Sequence, residues 1–308
     1  MMIAQSDSDT SFLFNIFLEN KYKIALGFIL GLVIASVSVF LTPNKYTSSV
    51  LLAPVDNSSI NSMASQMTSF GGLGSLIGLN DVPTSKTNLA IEILKSRAFT
   101  SEFIKNRDVL VPLFAAKKWD IEKKKLVIDD SIYNLETNTW IREAKGPFSS
   151  EPTMQEAHRV WIKDHLKISK DSQTQFVEIS ITHVSPKLAQ EWLLAMVQDI
   201  NEKIRQKDIN QSERAIEYLN TKLQENSSEE LKSLIYSLIE QQTKIIMLAY
   251  TNEYYALEII DPPIVPDKKS SPFRIITMLI GALMGGIFSY IICIFFNLFK
   301  DKSLRISK

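Results

Sequence analysis

The stretch EIIDPPIVPDKKSSPFRIITMLIGALMGGIFSYIICIFFNLF, Glu258–Phe299, holds three kinds of chain in one run. A strand-like segment ends at Asp261, a proline-rich spacer follows, and an unbroken apolar segment completes the run. Each proline fixes φ and removes a backbone donor, so residues 262–272 can neither continue a central strand nor join the helix. They read as extended, stiff chain. Residues 275–299 carry no charge. As a helix they reach roughly 37 Å, enough for a hydrocarbon core of about 30 Å.

A second uncharged segment, 24–41, lies near the other end and reaches roughly 27 Å as a helix. Two transmembrane helices are expected, 24–41 and 275–299. The first has a signal peptide as its alternative. However, residues 1–23 mix Asp7, Asp9 and Glu19 with Lys21 and Lys23, and SVS at Ser36–Ser38 is a poor cleavage site. A retained anchor is therefore preferred. Two spans place both tails, 1–23 and 300–308, on one side. Lys21, Lys23, Lys300, Lys302, Arg305 and Lys308 stand there against Lys45, Lys268, Lys269 and Arg274 on the other side, so the tails are expected in the cytoplasm. The segment 42–274 is then an exported domain. The whole chain carries 34 basic and 34 acidic residues, and this balance argues against nucleic acid as a partner. The single cysteine, Cys293, lies in the second span, so the exported domain uses no disulfide.

YTSSVLLAP, Tyr46–Pro54, reads as a strand, and Asp56–Asp81 as a loop rich in Ser, Asn, Gly and Met. From Thr84, the residues Leu89, Ile93, Leu94 and Phe103 are spaced as one helix. The middle, 108–165, offers only a strand near Lys125–Ile128. HLKISKD and TQFVEISITH read as a hairpin, because Val177, Ile179 and Ile181 alternate with polar residues. Ser185 and Pro186 open a long helix, 186–225, as cap and first residue. Its polar gap QKDINQSER reads as exposed. Ser227 and Glu230 suggest a capping box for a second helix, 228–250. Tyr255–Asp261 closes the domain as a strand. The order strand, helix, strand, strand, helix, strand predicts an α+β membrane protein: two transmembrane helices flanking a ferredoxin-like domain with an extended helical hairpin. The apolar seam Leu193, Val197, Ile200, Ile204, Ile216, Leu219 and Leu223 is the candidate contact between copies of the chain.

Small residues recur every four positions in both spans: Gly27, Gly31 and Ala35 in the first, Gly281, Gly285 and Ser289 in the second. That spacing lets helix backbones approach closely in lipid. The spacer itself carries Pro263, Pro266, Ser271 and Pro272 and is expected to hold the exported sheet at a fixed height over the membrane.

Pro263-x2-Pro266-x4-Ser271-Pro272 followed by a span containing GALMGG resembles the signature of the Wzz-type chain-length determinants, the polysaccharide co-polymerases. The resemblance runs over nearly the whole chain. It implies a non-enzymatic protein of the bacterial inner membrane, whose periplasmic domains assemble into ring-like homo-oligomers. It also implies a Wzy-type polymerase as partner and a lipid-linked glycan of the O-antigen type, whose length is set. The glycine cluster of the last span is looser here than the family's.

Chemistry is sparse by comparison. His158, His165 and His183 are scattered, fit no metal motif and read as surface or sheet-edge residues. No P-loop for a fused kinase occurs, and GGLGSLIG, Gly71–Gly78, follows no clear strand. No catalytic, cofactor or metal residues are expected. Lys117, Lys118 and Lys123–Lys125 read as a solvated face. The alternatives are an export or polymerisation scaffold for capsule or exopolysaccharide, and a membrane-anchored periplasmic sensor. The short tail after the last span argues against the sensor.

Overall fold

The computed structural model describes residue 18 and residues 20–55, 82–143, 149–225 and 228–306. They fall into two compact units, one comprising Met1–Lys45 with Lys269–Lys308, the other Tyr46–Lys268. The first is built on α1, Lys21–Leu41, and contains the last helix of the chain. The second holds β1, Tyr46–Pro54, then α2, Val82–Lys95, α3, Arg97–Asn106, and α4, Leu110–Ala115. Two small hairpins follow, β2 (Ala116–Asp120) with β3 (Lys125–Ile128), and β4 (Tyr133–Asn134) with β5 (Thr139–Trp140). After them come α5, Met154–Val160, a π-helical turn at Trp161–His165, β6, Leu166–Lys170, and β7, Val177–His183. The long helices α6, Pro186–Glu225, and α7, Glu229–Thr251, precede β8, Leu257–Asp261, and the last helix is α8, Arg274–Ile306.

β6, β7, β1 and β8 form one sheet in that order, with every neighbour antiparallel. The expected alternation sets its register. Val177, Ile179 and Ile181 face inward beside Leu52, Val50 and Ser48, and a one-residue slip would turn all of them outward. α6 covers this face, bringing Leu193, Val197, Ile200 and Ile204 into the same core as Val50, Leu52 and Trp161. Each such side chain contributes roughly 1.5–3 kcal/mol on burial.

This placement corrects the expected contact seam. Leu193, Val197, Ile200 and Ile204 are fully buried within their own chain and offer nothing to a second copy. Ile216, Leu219 and Leu223, further along, are half-buried on the hairpin that α6 makes with α7. The polar gap is no exposed break either, because Ile209 and Ser212 within it are buried. The single helix expected after Thr84 is two. Ser96 interrupts it in extended conformation (ψ 148°), and its hydroxyl accepts the N–H of Phe99 as the cap of α3. Ser185 caps α6 as expected, accepting the N–H of Leu188. The cap of α7 is Ser228, whose hydroxyl bonds Glu230 at 2.8 Å; Ser227, Asp56–Asp81 and Gly71–Gly78 lie outside the described residues.

The histidines also differ from expectation. His183 is buried, and its Nδ1 accepts the N–H of Ser185 at 3.0 Å, so the ring proton sits on Nε2 and is donated to the carbonyl of Pro112. Trp192 packs 4.7 Å from this ring and Trp161 packs 5.6 Å from Trp192. His165 is half-buried with Nδ1 2.8 Å from the carbonyl of Thr182, and His158 is half-buried on α5.

The middle region folds on local turns. Asp129 accepts from the N–H and hydroxyl of Ser131, and Asn134 from the N–H groups of Glu136 and Thr137. Arg142 locks the next segment. It holds Glu156 through two 2.7 Å bonds and donates to the carbonyls of Ser149 and Ser150. The hydrogen bond from Arg142 keeps the Glu156 carboxyl below its ordinary value of 4.5. A depressed acid adds stability that is present above its unfolded pKa and lost as pH falls through the folded one. Glu156→Gln should therefore cost stability at neutral pH and flatten the acid limb of a stability-against-pH curve. An acid limb identical to that of the parent chain would remove this pair from acid unfolding.

Asn201 is the buried polar hub of the domain. Its amide nitrogen donates to the carbonyls of Val197 and Leu257, and its oxygen accepts the N–H groups of Tyr255, Ala256 and Leu257. Asn201→Leu strands these backbone groups inside the core. The expected loss is about 3 kcal/mol, since each buried orphan costs roughly 1–3 kcal/mol. A shift below about 1 kcal/mol in denaturant unfolding, the range of an ordinary surface substitution, would show that the clamp is dispensable.

Candidate functional site: the glycine-packed helices and the proline spacer

α1 and α8 are each apolar and long enough to cross a membrane over Lys21–Leu41 and Arg274–Phe296. The structure brings together all six small residues singled out by spacing. A methyl built on Gly27 would overlap the Ser289 side chain and lie 2.8 Å from the carbonyl oxygen of Gly285. One on Gly31 would lie 2.9 Å from the Cα of Gly285, and one on Gly281 would overlap Ala35. The helices meet backbone to backbone, and only glycine permits that approach at these positions. A further glycine, Gly286, was not singled out by spacing; it receives the ring of Phe28.

Both ends of the pair are fastened. Ser289 donates to the carbonyl of Lys23 at 2.8 Å, beside buried Ile24 and Cys293. At the other end, Lys45 and Ser271 form an isolated antiparallel bridge, with Lys45 N–H donating to Ser271 and Ser270 N–H donating to Lys45. Arg274 donates to Asn44 at 3.2 Å and lies 5.4 Å from the ring of Phe40. The Ser271–Pro272 peptide is cis. The outer faces of both helices remain apolar and exposed, as at Leu30, Ile34, Leu283 and Ile287.

The first half of the spacer is tied within the larger unit. The carbonyl of Pro263 accepts from Gln190 on α6 at 2.9 Å, and that of Ile264 accepts from Ser48 on β1 at 2.8 Å. Pro262 and Pro263 supply no donor, and this half of the spacer is held through the carbonyls of Pro263 and Ile264. No local sequence signal marks Gln190 or Ser48, because each meets the spacer only through the fold. Among the described residues no group of three or more His, Cys, Asp or Glu is placed to hold a metal ion.

Residues 8–107 match the family model described as Wzz, chain length determinant protein. The match covers this one segment of the chain. It includes α1, β1, α2 and α3, and thus one helix of the glycine-packed pair. A comparison with curated proteins gives no significant match. Among solved structures, the chain is similar to a full-length bacterial polysaccharide co-polymerase, at 14% identity and TM-score 0.37, over 94% of this chain and 97% of that one. A fragment of WzzB, a polysaccharide co-polymerase from Salmonella Typhimurium, matches at 16% identity and TM-score 0.31, over 74% of this chain and 100% of that one. A mutant of the lipopolysaccharide O-antigen chain-length regulator WzzBSF of Shigella flexneri matches at 13% identity and TM-score 0.26, over 73% and 100%.

Replacing Gly285 with Leu should drive the helices apart, from backbone contact toward the roughly 8–10 Å axis separation of helices spaced by side chains. Spin labels at the exposed positions Leu32 and Leu283 would report the widening. An unchanged distance distribution would mean that glycine packing does not set this pairing.

Proposed function

We propose that this chain is a non-catalytic regulator of surface-polysaccharide chain length, anchored in the bacterial inner membrane. The Wzz match over residues 8–107 carries this reading. In it, residues 1–23 and 300–308 are cytoplasmic and 42–274 is periplasmic. The strand order β8-β1-β7-β6 with antiparallel neighbours agrees with a ferredoxin-like split βαβ arrangement, to which α6 and α7 add a helical hairpin. The helices α1 and α8 cross the membrane as one fastened pair, with Gly27, Gly31, Ala35, Gly281, Gly285 and Ser289 as its seam. The spacer at Pro263, Pro266, Ser271 and Pro272 restrains the chain that enters α8.

The regulator works as a homo-oligomer, ring-like by the family resemblance, together with a Wzy-type polymerase acting on a lipid-linked glycan of the O-antigen type. With Leu193, Val197, Ile200 and Ile204 inside the core, the contact between copies moves to outward faces. The exposed Leu231, Leu234, Tyr236 and Met247 of α7 are its candidates.

Deleting the gene and resolving the host's surface polysaccharide on a gel tests the regulator. A modal cluster of lengths should collapse to an unregulated ladder and return on complementation. Loss of all polymer would replace length control with an export or polymerisation scaffold, and an unchanged pattern would overturn both.

A further inference from the structure

The larger unit carries a row of grooves along α6. Three adjoining cavities, of about 520, 400 and 400 Å³, all include Glu202 in their walls. Small-ligand sites span roughly 300–1,000 Å³, so each is of useful size. Arg107 and Asp199 line the first and third, Gln206 the first and second, and Arg205 the second and third.

The charges along this row nearly cancel. Glu102, Asp199, Glu202 and Glu253 stand against Arg107, Lys203 and Arg205. Most are already paired: Arg107 with Asp199 at 2.7 Å, Lys203 with Glu102 at 2.6 Å, and Arg205 with Glu202 at 2.7 Å, while Gln206 donates to Glu202 at 2.7 Å. Such exposed pairs add little to stability, typically about 0–1 kcal/mol. What they do is hold planar donors and acceptors in fixed directions. A carboxylate accepts about four hydrogen bonds and a guanidinium donates five, so pairing leaves capacity on both. Exposed Tyr250 rims the second cavity and Tyr254 lines the third, each offering an apolar ring face beside the polar row.

A polyanion would face the carboxylates and a polycation the basic groups, each at close range. The chemistry suited to alternating, oriented donors and acceptors beside aromatic faces is a neutral chain of hydroxyl groups. We propose that the α6 groove around Glu202 binds neutral oligosaccharide directly. The choice of sugar rests on the chain-length reading above; the groove and its charge balance do not.

The test uses the full-length chain in detergent. Its probe is the host's own surface polysaccharide, freed of lipid by mild acid, with heparin as the polyanion control and binding followed by calorimetry. The parent chain should bind the polysaccharide and not heparin. Gln206→Trp, which fills the walls shared by the first two cavities, should weaken binding at least tenfold with an unchanged melting temperature. The double variant Arg107→Ala with Asp199→Ala removes one oriented pair and should also weaken binding; it decides the matter if the tryptophan variant does not fold. Parent-like affinity in a folded variant would overturn the site. Heparin binding equal to that of the polysaccharide would overturn the neutral ligand. If the parent chain binds nothing at millimolar sugar, direct contact is overturned. The gel after gene deletion still reports length control independently, so the two readings fail separately.

Discussion

The larger unit depends on one side-chain amide. α6 is long enough to leave the sheet behind, and the chain must return from the far end of α7 to place β8 beside β1. Asn201 makes that return specific. One planar group accepts three consecutive backbone N–H groups at Tyr255–Leu257 and donates to a carbonyl on each side of the junction. An apolar residue there would bury as well but would leave the incoming strand unsatisfied and free to slip. Nearby contacts depend on the same register. The Tyr255 hydroxyl donates to Asp208, and Lys86 lies 2.8 Å from Asp208 and 4.2 Å from the tyrosine ring. Burial first, and then the Asp208 carboxylate, keep that phenol protonated well above its ordinary range. Arg205 meanwhile holds the carbonyls of Asn252 and Glu253, where α7 ends and its last acceptors would otherwise lack partners.

The paired helices solve a different problem with different means. Water drives the burial of Leu193 against the sheet, but in lipid an apolar side chain gains little by leaving its neighbours. Association there relies on close packing and on hydrogen bonds, and α1 and α8 use both. Gly27, Gly31, Gly281 and Gly285 give up side chains so that backbones touch. Ser289 at one end, and the bridge of Lys45 with Ser271 at the other, add hydrogen bonds that fix the axial register. Exposed leucines and isoleucines on the outer faces fit the same solvent.

What the sequence disclosed follows from the range of each signal. Strand alternation in β7, the Ser185–Pro186 helix start and the four-residue spacing of small residues are local patterns, and they placed their elements. The seam on α6 was legible as buried, but periodicity names a face and not what covers it. The sheet covers Leu193 through Ile204, whereas the sequence reading had given them to another copy. His183 was misplaced for a related reason: a polar ring at the end of a strand reads as exposed until its two partners, Pro112 and the Ser185 backbone, are folded around it. The described part of residues 108–165 is built from Asx turns, strands of two to five residues and helices of at most seven, which have too few positions to show a period. Asn201, Gln190 and Ser48 carried no local signal at all, since each acts on chain distant in sequence.

The spacer draws these observations together. Read alone, its prolines indicated stiffness, and stiffness in a linker only narrows the directions it can take. The hydrogen bonds to Pro263 and Ile264 add position, because they tie the chain leaving β8 to β1 and to α6. Proline suits that role: Pro262, Pro263 and Pro266 have no N–H to satisfy, and the chain beside them is gripped through the carbonyls of Pro263 and Ile264 without joining the sheet. The strand that Asn201 registers therefore continues into chain that is itself held. A change in the packing of α6 against β1 would reach the spacer through Gln190 and Ser48 without passing through flexible linker. The helical face of the larger unit is thereby joined through two hydrogen bonds to the chain that leaves β8.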